Sequence, residues 1–126
     1  MIKIVIFMKK KEELSREQLI DHYENSHVPL IMQQSGSYML DYRRSYPDWS
    51  DPISFSKNFD FNDDMAPDHD FDVITEIWVK DRSTLNAMFA AAGTPEQVKA
   101  IQADADQFRI QSSVRTCITE EHRTAC

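Results

Sequence analysis

The stretch from Leu14 to Leu30 constrains the fold of this 126-residue chain more than any other. Ser15 and Gln18 have the spacing of a capping box, in which each side chain binds the backbone N–H of the other residue. Leu14 and Leu19 flank that box at the two positions of a hydrophobic staple. The sequence therefore predicts that a helix begins at Ser15.

The apolar face of this predicted helix includes a histidine. Spacings of three or four residues keep four side chains on that face: Leu19, Tyr23, His27 and Leu30. Pro29 disfavours the α conformation at Val28, so the helix should end or bend there and a second helical segment should run to Gly36. An imidazole at a helix end that faces a core is suited to proton transfer. A structural histidine bonded to backbone carbonyls fits the same pattern.

The charge balance argues against two classes of partner. The chain has 14 basic and 21 acidic residues and a formal net charge of −7, whereas nucleic acids and anionic membranes require a cationic surface. No apolar run is long enough to cross a membrane, and the first residues lack the layout of a signal peptide. These features predict a cytoplasmic protein. Cys117 and Cys126 have no metal or redox spacing and are interpreted as incidental thiols.

Four segments have the composition of strands: residues 2–8, 38–46, 72–80 and 110–119. In the second strand, alternation predicts one shared face for Tyr38, Leu40, Tyr42, Arg44 and Tyr46. In the third strand, Glu76 shares a face with Ile74 and Trp78. A carboxylate there is costly to bury without a partner, so Glu76 either faces a polar cavity as a site residue or pairs with Arg44 or Arg115.

Two helices are predicted between the third and fourth strands. The first has an apolar stripe of Leu85, Met88, Phe89 and Ala92 and should stop at Gly93. The second begins with another capping box, made by Thr94 and Gln97, with Pro95 at the tolerated first position. Its buried stripe is predicted to contain Val98, Ile101, Ala105 and Phe108.

Residues 47–71 differ in character from the rest of the chain. Residues 47–72 contain eight aspartates and one lysine, together with three prolines. The segment is predicted to be a long loop, and its aromatic residues suggest that it folds back over apolar surface. It would act there as a lid over a pocket, or it would only cover a sheet edge.

The order of elements predicts the architecture. A β-α-β-β-α-(α)-β order over a single domain, residues 1–126, is typical of the ferredoxin-like α+β fold with a four-stranded antiparallel sheet. Helices cover only one face of such a sheet, yet three of the strands are apolar on both faces. A second copy of the same sheet is the simplest cover, which predicts a homodimer with a barrel-like interior.

Three segments of the chain resemble the EthD family, a member of the dimeric α+β barrel superfamily. They are the opening residues 1–10, the Leu14–Leu30 stretch, and residues 72–79 before a helix. The resemblance extends over residues 1–46 and 71–119, and its most specific part is His27–Leu30. It implies a ferredoxin-like protomer, dimerisation through the sheets and a cavity between sheet and helices. The length of the 47–71 insert departs from the family pattern.

The resemblance also implies a range of functions. Similar proteins include components of ether and aromatic catabolism, muconolactone-type isomerases, and polyketide cyclases and dehydratases, most of which need no cofactor. A cofactor-independent lyase or isomerase of the dehydratase or cyclase type is therefore expected. Its substrate would be a small aromatic, polyketide-like or keto/hydroxy compound. The alternative is a non-catalytic dimeric binding or accessory protein that serves a catabolic or biosynthetic enzyme.

Within the enzyme hypothesis, His27 is the general base or acid and Glu76 orients it or shares its proton. Five residues are assigned to substrate binding: Tyr23, Tyr42, Arg44, Trp78 and Phe7. Among them Tyr42, Arg44 or Tyr23 would polarise a carbonyl or stabilise an enolate.

Metal and haem chemistry have weaker support in the sequence. His22 and His27 are five residues apart, which does not place them on one face of a regular helix. His69 lies near four carboxylates, Asp63, Asp64, Asp68 and Asp70, but their spacing matches no known cation-binding loop. Only His27 resembles a haem ligand. We therefore expect no metal and no cofactor.

Overall fold

The computed structural model describes residues 1–55, 71–91 and 93–126. The central part of the 47–71 insert lies outside the described residues, and so do the carboxylates around His69. The choice between a lid and an edge cover for that insert therefore stays a prediction.

The described residues form one four-stranded sheet. Its strands are β1 (Ile2–Met8), β2 (Met39–Ser45), β3 (Val73–Val79) and β4 (Arg115–Thr119). The strand order is β2-β3-β1-β4, and every neighbouring pair is antiparallel. This arrangement confirms the predicted ferredoxin-like α+β fold.

In the part of the chain that the structure describes, four α-helices lie between the strands. They are α1 (Arg16–His22), α2 (Val28–Ser35), α3 (Arg82–Ala90) and α4 (Pro95–Asp106). Both predicted capping boxes are confirmed. Ser15 and Gln18 exchange hydrogen bonds of 2.8 and 3.1 Å before α1, and Thr94 and Gln97 do the same at 2.8 and 3.2 Å before α4.

Alternation along β1 and β3 gives the sheet an inner face towards the helices and an outer face away from them. The inner-face residues of β3 are almost fully buried: Val73, Thr75, Ile77 and Val79. Leu19 of α1 and Phe108, just after α4, complete this core on the helix side. Val5 and Phe7 of β1 lie on the outer face. On that face, the cross-strand neighbours of Val5 are Glu76 on β3 and Cys117 on β4.

The predicted face of β2 is wrong at one position. The register with β3 shifts between Met39 and Asp41, which indicates a β-bulge there. Met39 and Tyr42 both pack against the inner core, whereas Leu40 is 61% exposed. The extra residue at the bulge interrupts the alternation of side chains along the strand. Leu40 therefore does not share the face of Tyr42, although the two are two residues apart.

The start of β4 also differs from the prediction. Residues 110–119 were expected to be continuous strand, but Gln111–Ser113 form a turn of 3₁₀ helix and the strand begins at Arg115. The Ser113 hydroxyl accepts a hydrogen bond from the Lys9 amide at 2.8 Å and donates to the Ile110 carbonyl at 2.5 Å. A side-chain hydroxyl here replaces the regular backbone ladder.

The Pro29 bend takes the form of a widened helical turn. Residues Tyr23–His27 form a π-helical turn between α1 and α2, closed by the hydrogen bond from the Val28 amide to the Tyr23 carbonyl. Pro29 lies in the first turn of α2, where its missing N–H costs little. Within the described residues, no helix is both long and apolar enough to cross a membrane.

Candidate functional site

A cavity of about 260 Å³ lies between the helices and the inner face of the sheet. All four strands contribute to its wall, which is mainly apolar on the sheet side. Its polar lining consists of Tyr23, His27, Tyr42, Thr75, Gln102, Arg109 and Thr116. A small cavity with an apolar wall and a few convergent polar groups is typical of a small-molecule site.

His27 enters this cavity from the widened turn and is only 7% exposed. Its Nδ1 lies 3.0 Å from Oδ2 of Asp104, a buried carboxylate on α4. An ionised carboxylate can only accept hydrogen bonds. The ring proton of His27 is therefore on Nδ1, and Nδ1–H donates a hydrogen bond to Asp104. In this tautomer the imidazole lone pair is on Nε2, for which the described residues provide no hydrogen-bond partner.

Asp104 connects three side chains of the first helical region. Besides His27, it accepts a hydrogen bond from the Ser26 hydroxyl at 2.5 Å and from Nε2 of His22 at 3.1 Å, both on Oδ1. Three donors offset the cost of burying the carboxylate between helices. The sequence interpretation missed Asp104. A signal was present, because Asp104 occupies the same stripe of α4 as Ile101 and Phe108.

The widened turn explains how His22 and His27 reach the same carboxylate. On a regular α-helix, residues five apart point about 140° away from each other. A π turn brings residues i and i+5 close to alignment. The expectation that His22 and His27 do not share a face is therefore wrong, because the Tyr23–His27 turn is not α-helical.

The environment of His27 favours the neutral imidazole. Burial lowers its pKa below the usual 6.5, and the positive charge of Arg109 acts in the same direction. The hydrogen bond and charge of Asp104 act against this shift but do not cancel it. A neutral imidazole with Nδ1–H bound to a carboxylate can accept a proton at Nε2.

Two tyrosines line the same cavity. The Tyr23 hydroxyl is 2.7 Å from the Thr75 hydroxyl, and Tyr42 lies near enough to Tyr23 for the two side chains to interact electrostatically. Burial raises the pKa of both tyrosines. Both are therefore protonated at neutral pH and serve as hydrogen-bond donors rather than as phenolate bases.

Arg44 lies beside the tyrosines but already has a partner. Its Nε and one terminal nitrogen bind both oxygens of Glu24, at 2.9 and 2.5 Å, and the Tyr46 hydroxyl donates to the same carboxylate at 2.6 Å. The guanidinium also lies over the Tyr42 ring, 4.6 Å from its centre. Arg44 therefore supports Tyr42 from outside the cavity lining.

Three predicted site residues lie on the outer face, away from His27. Glu76 forms an ion pair with Lys3, and Trp78 donates from Nε1 to Glu121 at 3.0 Å. Phe7 makes an edge contact with Phe71. The predicted juxtaposition of His27 and Glu76 is therefore not found, because Thr75 and Ile77 point to the cavity and Glu76, between them, points away.

Metal coordination has no candidate among the described residues, which contain no group of three or more His, Cys, Asp or Glu side chains placed to hold an ion. The two predicted ion pairs of Glu76, with Arg44 or Arg115, are replaced by the pair with Lys3.

Cys117 is exposed on the outer face, and Cys126 is exposed near the end of the chain.

By its fold, the protein is in the class of ferredoxin-like α+β proteins. Its candidate site is a histidine–carboxylate pair at a cavity between the helices and the sheet. The model of the EthD domain matches residues 11–109. The chain therefore belongs to the EthD family.

Solved structures from several organisms share this fold. An EthD (ethyl tert-butyl ether D) family protein from Bacillus halodurans is 22% identical, with a TM-score of 0.58 over 97% of this chain and 100% of the other. HapK from Hahella chejuensis is 10% identical, with a TM-score of 0.58 over 100% and 97%. A dimeric ferredoxin-like protein of unknown function from Bacteroides fragilis is 11% identical, with a TM-score of 0.55 over 95% of each chain. No curated protein matches the chain significantly.

Proposed function

We propose that the protein is a cofactor-independent lyase or isomerase of the dehydratase or cyclase type, in which His27 transfers a proton on a small keto/hydroxy, aromatic or polyketide-like substrate. The observation that carries this proposal is the 3.0 Å contact between His27 Nδ1 and Asp104 at the wall of the cavity. It fixes the tautomer whose Nε2 accepts a proton.

His27 acts as the base in the first step of the proposed reaction. Burial lowers its pKa, so the imidazole is neutral at neutral pH and able to remove a proton from a carbon next to a carbonyl. Asp104 then stabilises the imidazolium that forms. In a dehydratase or isomerase the same Nε2–H returns the proton to a leaving hydroxyl or to another carbon.

Tyr42 and Tyr23 stabilise the negative charge that develops on the substrate oxygen. Because burial raises their pKa values, both hydroxyls keep their protons and remain hydrogen-bond donors. Thr75 holds the Tyr23 hydroxyl, and Arg44 holds the Tyr42 ring from its other side. Fixed donors in a water-poor site are an effective way to stabilise an enolate without a metal ion.

Glu76 has no part in this proposal, because Asp104 occupies the position predicted for it next to His27. Trp78 and Phe7 lie on the outer face, so we also do not assign them to substrate binding. We propose that the outer face they share is covered by a second copy of the chain, giving a homodimer. The dimeric Bacteroides fragilis protein of the same fold supports this arrangement.

Proton transfer can be tested with simple carbonyl compounds. The purified protein is incubated in D₂O with 1-indanone, 1-tetralone or phenylpyruvate, and loss of the α-proton signal is followed by ¹H NMR. We expect catalysed exchange with at least one compound. His27→Gln should reduce that exchange by about two to four orders of magnitude, the usual contribution of general acid–base catalysis.

His122→Gln is the matched control, because His122 is exposed in the C-terminal segment and should leave exchange unchanged. Circular dichroism confirms that each variant is folded. Exchange that survives His27→Gln in the folded protein contradicts the assignment of the base. Binding of the same compounds without any exchange would favour a non-catalytic binding protein.

A further inference from the structure

Arg109 is a cation at the wall of the His27 cavity, and its guanidinium lacks a close partner among the residues that the structure describes. It follows Phe108 directly, and its backbone is fixed by a hydrogen bond of 3.0 Å to the Ala105 carbonyl and by a bridge to Lys10. The side chain lines the same cavity as His27. The backbone of Arg109 is therefore fixed relative to the proposed base.

The Nε atom of Arg109 is buried and makes no hydrogen bond to any residue that the structure describes. Among residues 1–55, 71–91 and 93–126, the carboxylate that pairs with it is Asp106, whose Oδ1 is 3.7 Å from Nε, too far for a hydrogen bond. Asp106 is 55% exposed at its side chain, whereas Arg109 is 19% exposed. Buried guanidinium groups are normally paired, because they do not lose their proton.

Arg44 gives the comparison within the same protein. Its guanidinium binds Glu24 through two nitrogens, so its charge and its donors are already used. Arg109 has the same chemistry but only the distant Asp106 as a partner among the described residues. Of the two arginines near the cavity, Arg109 is thus the one available to an anion.

We propose that Arg109 binds a carboxylate of the substrate, so that the protein acts on small organic acids. The planar guanidinium matches a carboxylate with two parallel hydrogen bonds. The apolar body of such an acid would contact Ile6, Met8 and Ile77 on the sheet side of the cavity. A volume of about 260 Å³ limits the ligand to roughly the size of one substituted ring.

The charges of the site are consistent with an anionic ligand. Asp104 keeps its negative charge but does not line the cavity, and the imidazole of His27 is neutral, so Arg109 contributes the charge on the cavity wall among the described residues. A bound carboxylate would cancel the effect of Arg109 on His27 and make the imidazole a stronger base. Placing the acid next to His27 rests on the proposed function, whereas the anion site itself does not.

Benzoate and its neutral isostere benzamide test the site. Binding of both to the wild-type protein is measured by NMR titration and calorimetry. We expect benzoate to bind about tenfold or more tightly than benzamide, as for a hydrogen-bonded ion pair. Benzoate, but not benzamide, should also raise the pKa of His27.

Three variants assign that preference. Arg109→Gln should bind benzoate and benzamide equally. Arg109→Lys should keep part of the preference for benzoate. Asp106→Asn should keep or increase that preference, because a carboxylate that competes for Arg109 is lost. Arg115→Gln, on the outer face, is the control that should behave like the wild type. Asp106→Asn also shows whether losing the distant pair by itself disturbs folding.

Equal binding of benzoate and benzamide to the wild type overturns this proposal, as does a preference that persists in Arg109→Gln. The outcome is separable from the proposed reaction. If 1-indanone exchange depends on His27 but benzoate is not preferred, only the anion site fails. If benzoate is preferred through Arg109 but no compound exchanges, the proton-transfer function fails and the anion site remains.

Discussion

Asp104 Oδ2 and His27 Nδ1 lie 3.0 Å apart although they are 77 residues apart in the chain. The contact joins α4 to the widened turn after α1 and places a histidine–carboxylate pair at the wall of a cavity. It determines which ring nitrogen of His27 is free, and this in turn determines the chemistry that His27 can perform.

The first prediction concerns the protonation of His27. Long-range ¹H–¹⁵N NMR should show a neutral ring with its proton on Nδ1 and a pKa below 6.5. Asp104→Asn should lower that pKa further, because the lost charge no longer stabilises the imidazolium. A wild-type pKa at or above 6.5 would refute the neutral base.

The second prediction concerns stability and pH. Because the pKa of His27 is lower in the folded state than the usual 6.5, the unfolded chain binds its proton first as the pH falls. The free energy of unfolding should therefore decrease below about pH 6.5. Urea unfolding at about pH 7.5 and about pH 5.5 measures the decrease.

His27→Gln should show a smaller decrease over the same interval, because it lacks this titration. Asp104, Arg109 and His22 surround the ring and remain in the variant, so the difference from the wild type isolates His27. His122→Gln serves as the control and should follow the wild-type curve. Equal pH dependence in the wild type and His27→Gln would show that His27 does not titrate differently on folding.

The third prediction compares two arginine–carboxylate pairs next to each other on β2. Glu24→Gln weakens a partly buried bidentate pair with Arg44 and also a contact with Tyr46, and should cost about 1–2 kcal/mol. Asp41→Asn weakens the exposed pair with Arg43 and should cost far less. Chemical denaturation of both variants provides the measurement. Equal losses would show that the Glu24 pair contributes no more than a surface pair.

The fourth prediction concerns the assembly. Sedimentation should give about twice the chain mass of 14.7 kDa. Cys117→Arg places a charge on the outer face and should shift the protein towards the monomer. Ile118→Arg, at the next residue and on the opposite face of the same strand, should leave the assembly intact. A monomeric wild type at micromolar concentration would contradict the dimer.

The elements that sequence could predict are those defined by local interactions. Ser15 with Gln18, and Thr94 with Gln97, satisfy backbone groups within four residues of themselves, so their spacing is sufficient to locate two helix starts. The position of His27 on a buried stripe was also predictable, because Leu19 and Tyr23 mark the same stripe.

The alternation of side chains along β3 could not predict that Glu76 lies away from His27. Alternation tells which residues of β3 share a face, but it does not tell which face is towards the helices when both are largely apolar. Trp78 and Val5 make the outer face as apolar in pattern as the inner face. The choice between Glu76 and Asp104 depends on the packing of α4 against the turn at His27, which is a long-range contact.

The widened turn between α1 and α2 makes the length of the chain at this point a determinant of the chemistry. Loss of one residue between His22 and His27 would restore a regular α-helix in which the two histidines are four residues apart and still share a face. If the segment kept its length but formed a regular α-helix, His27 would instead point about 140° away from His22 and would leave Asp104. In evolution the extra residue and the π turn are therefore expected to be gained or lost together.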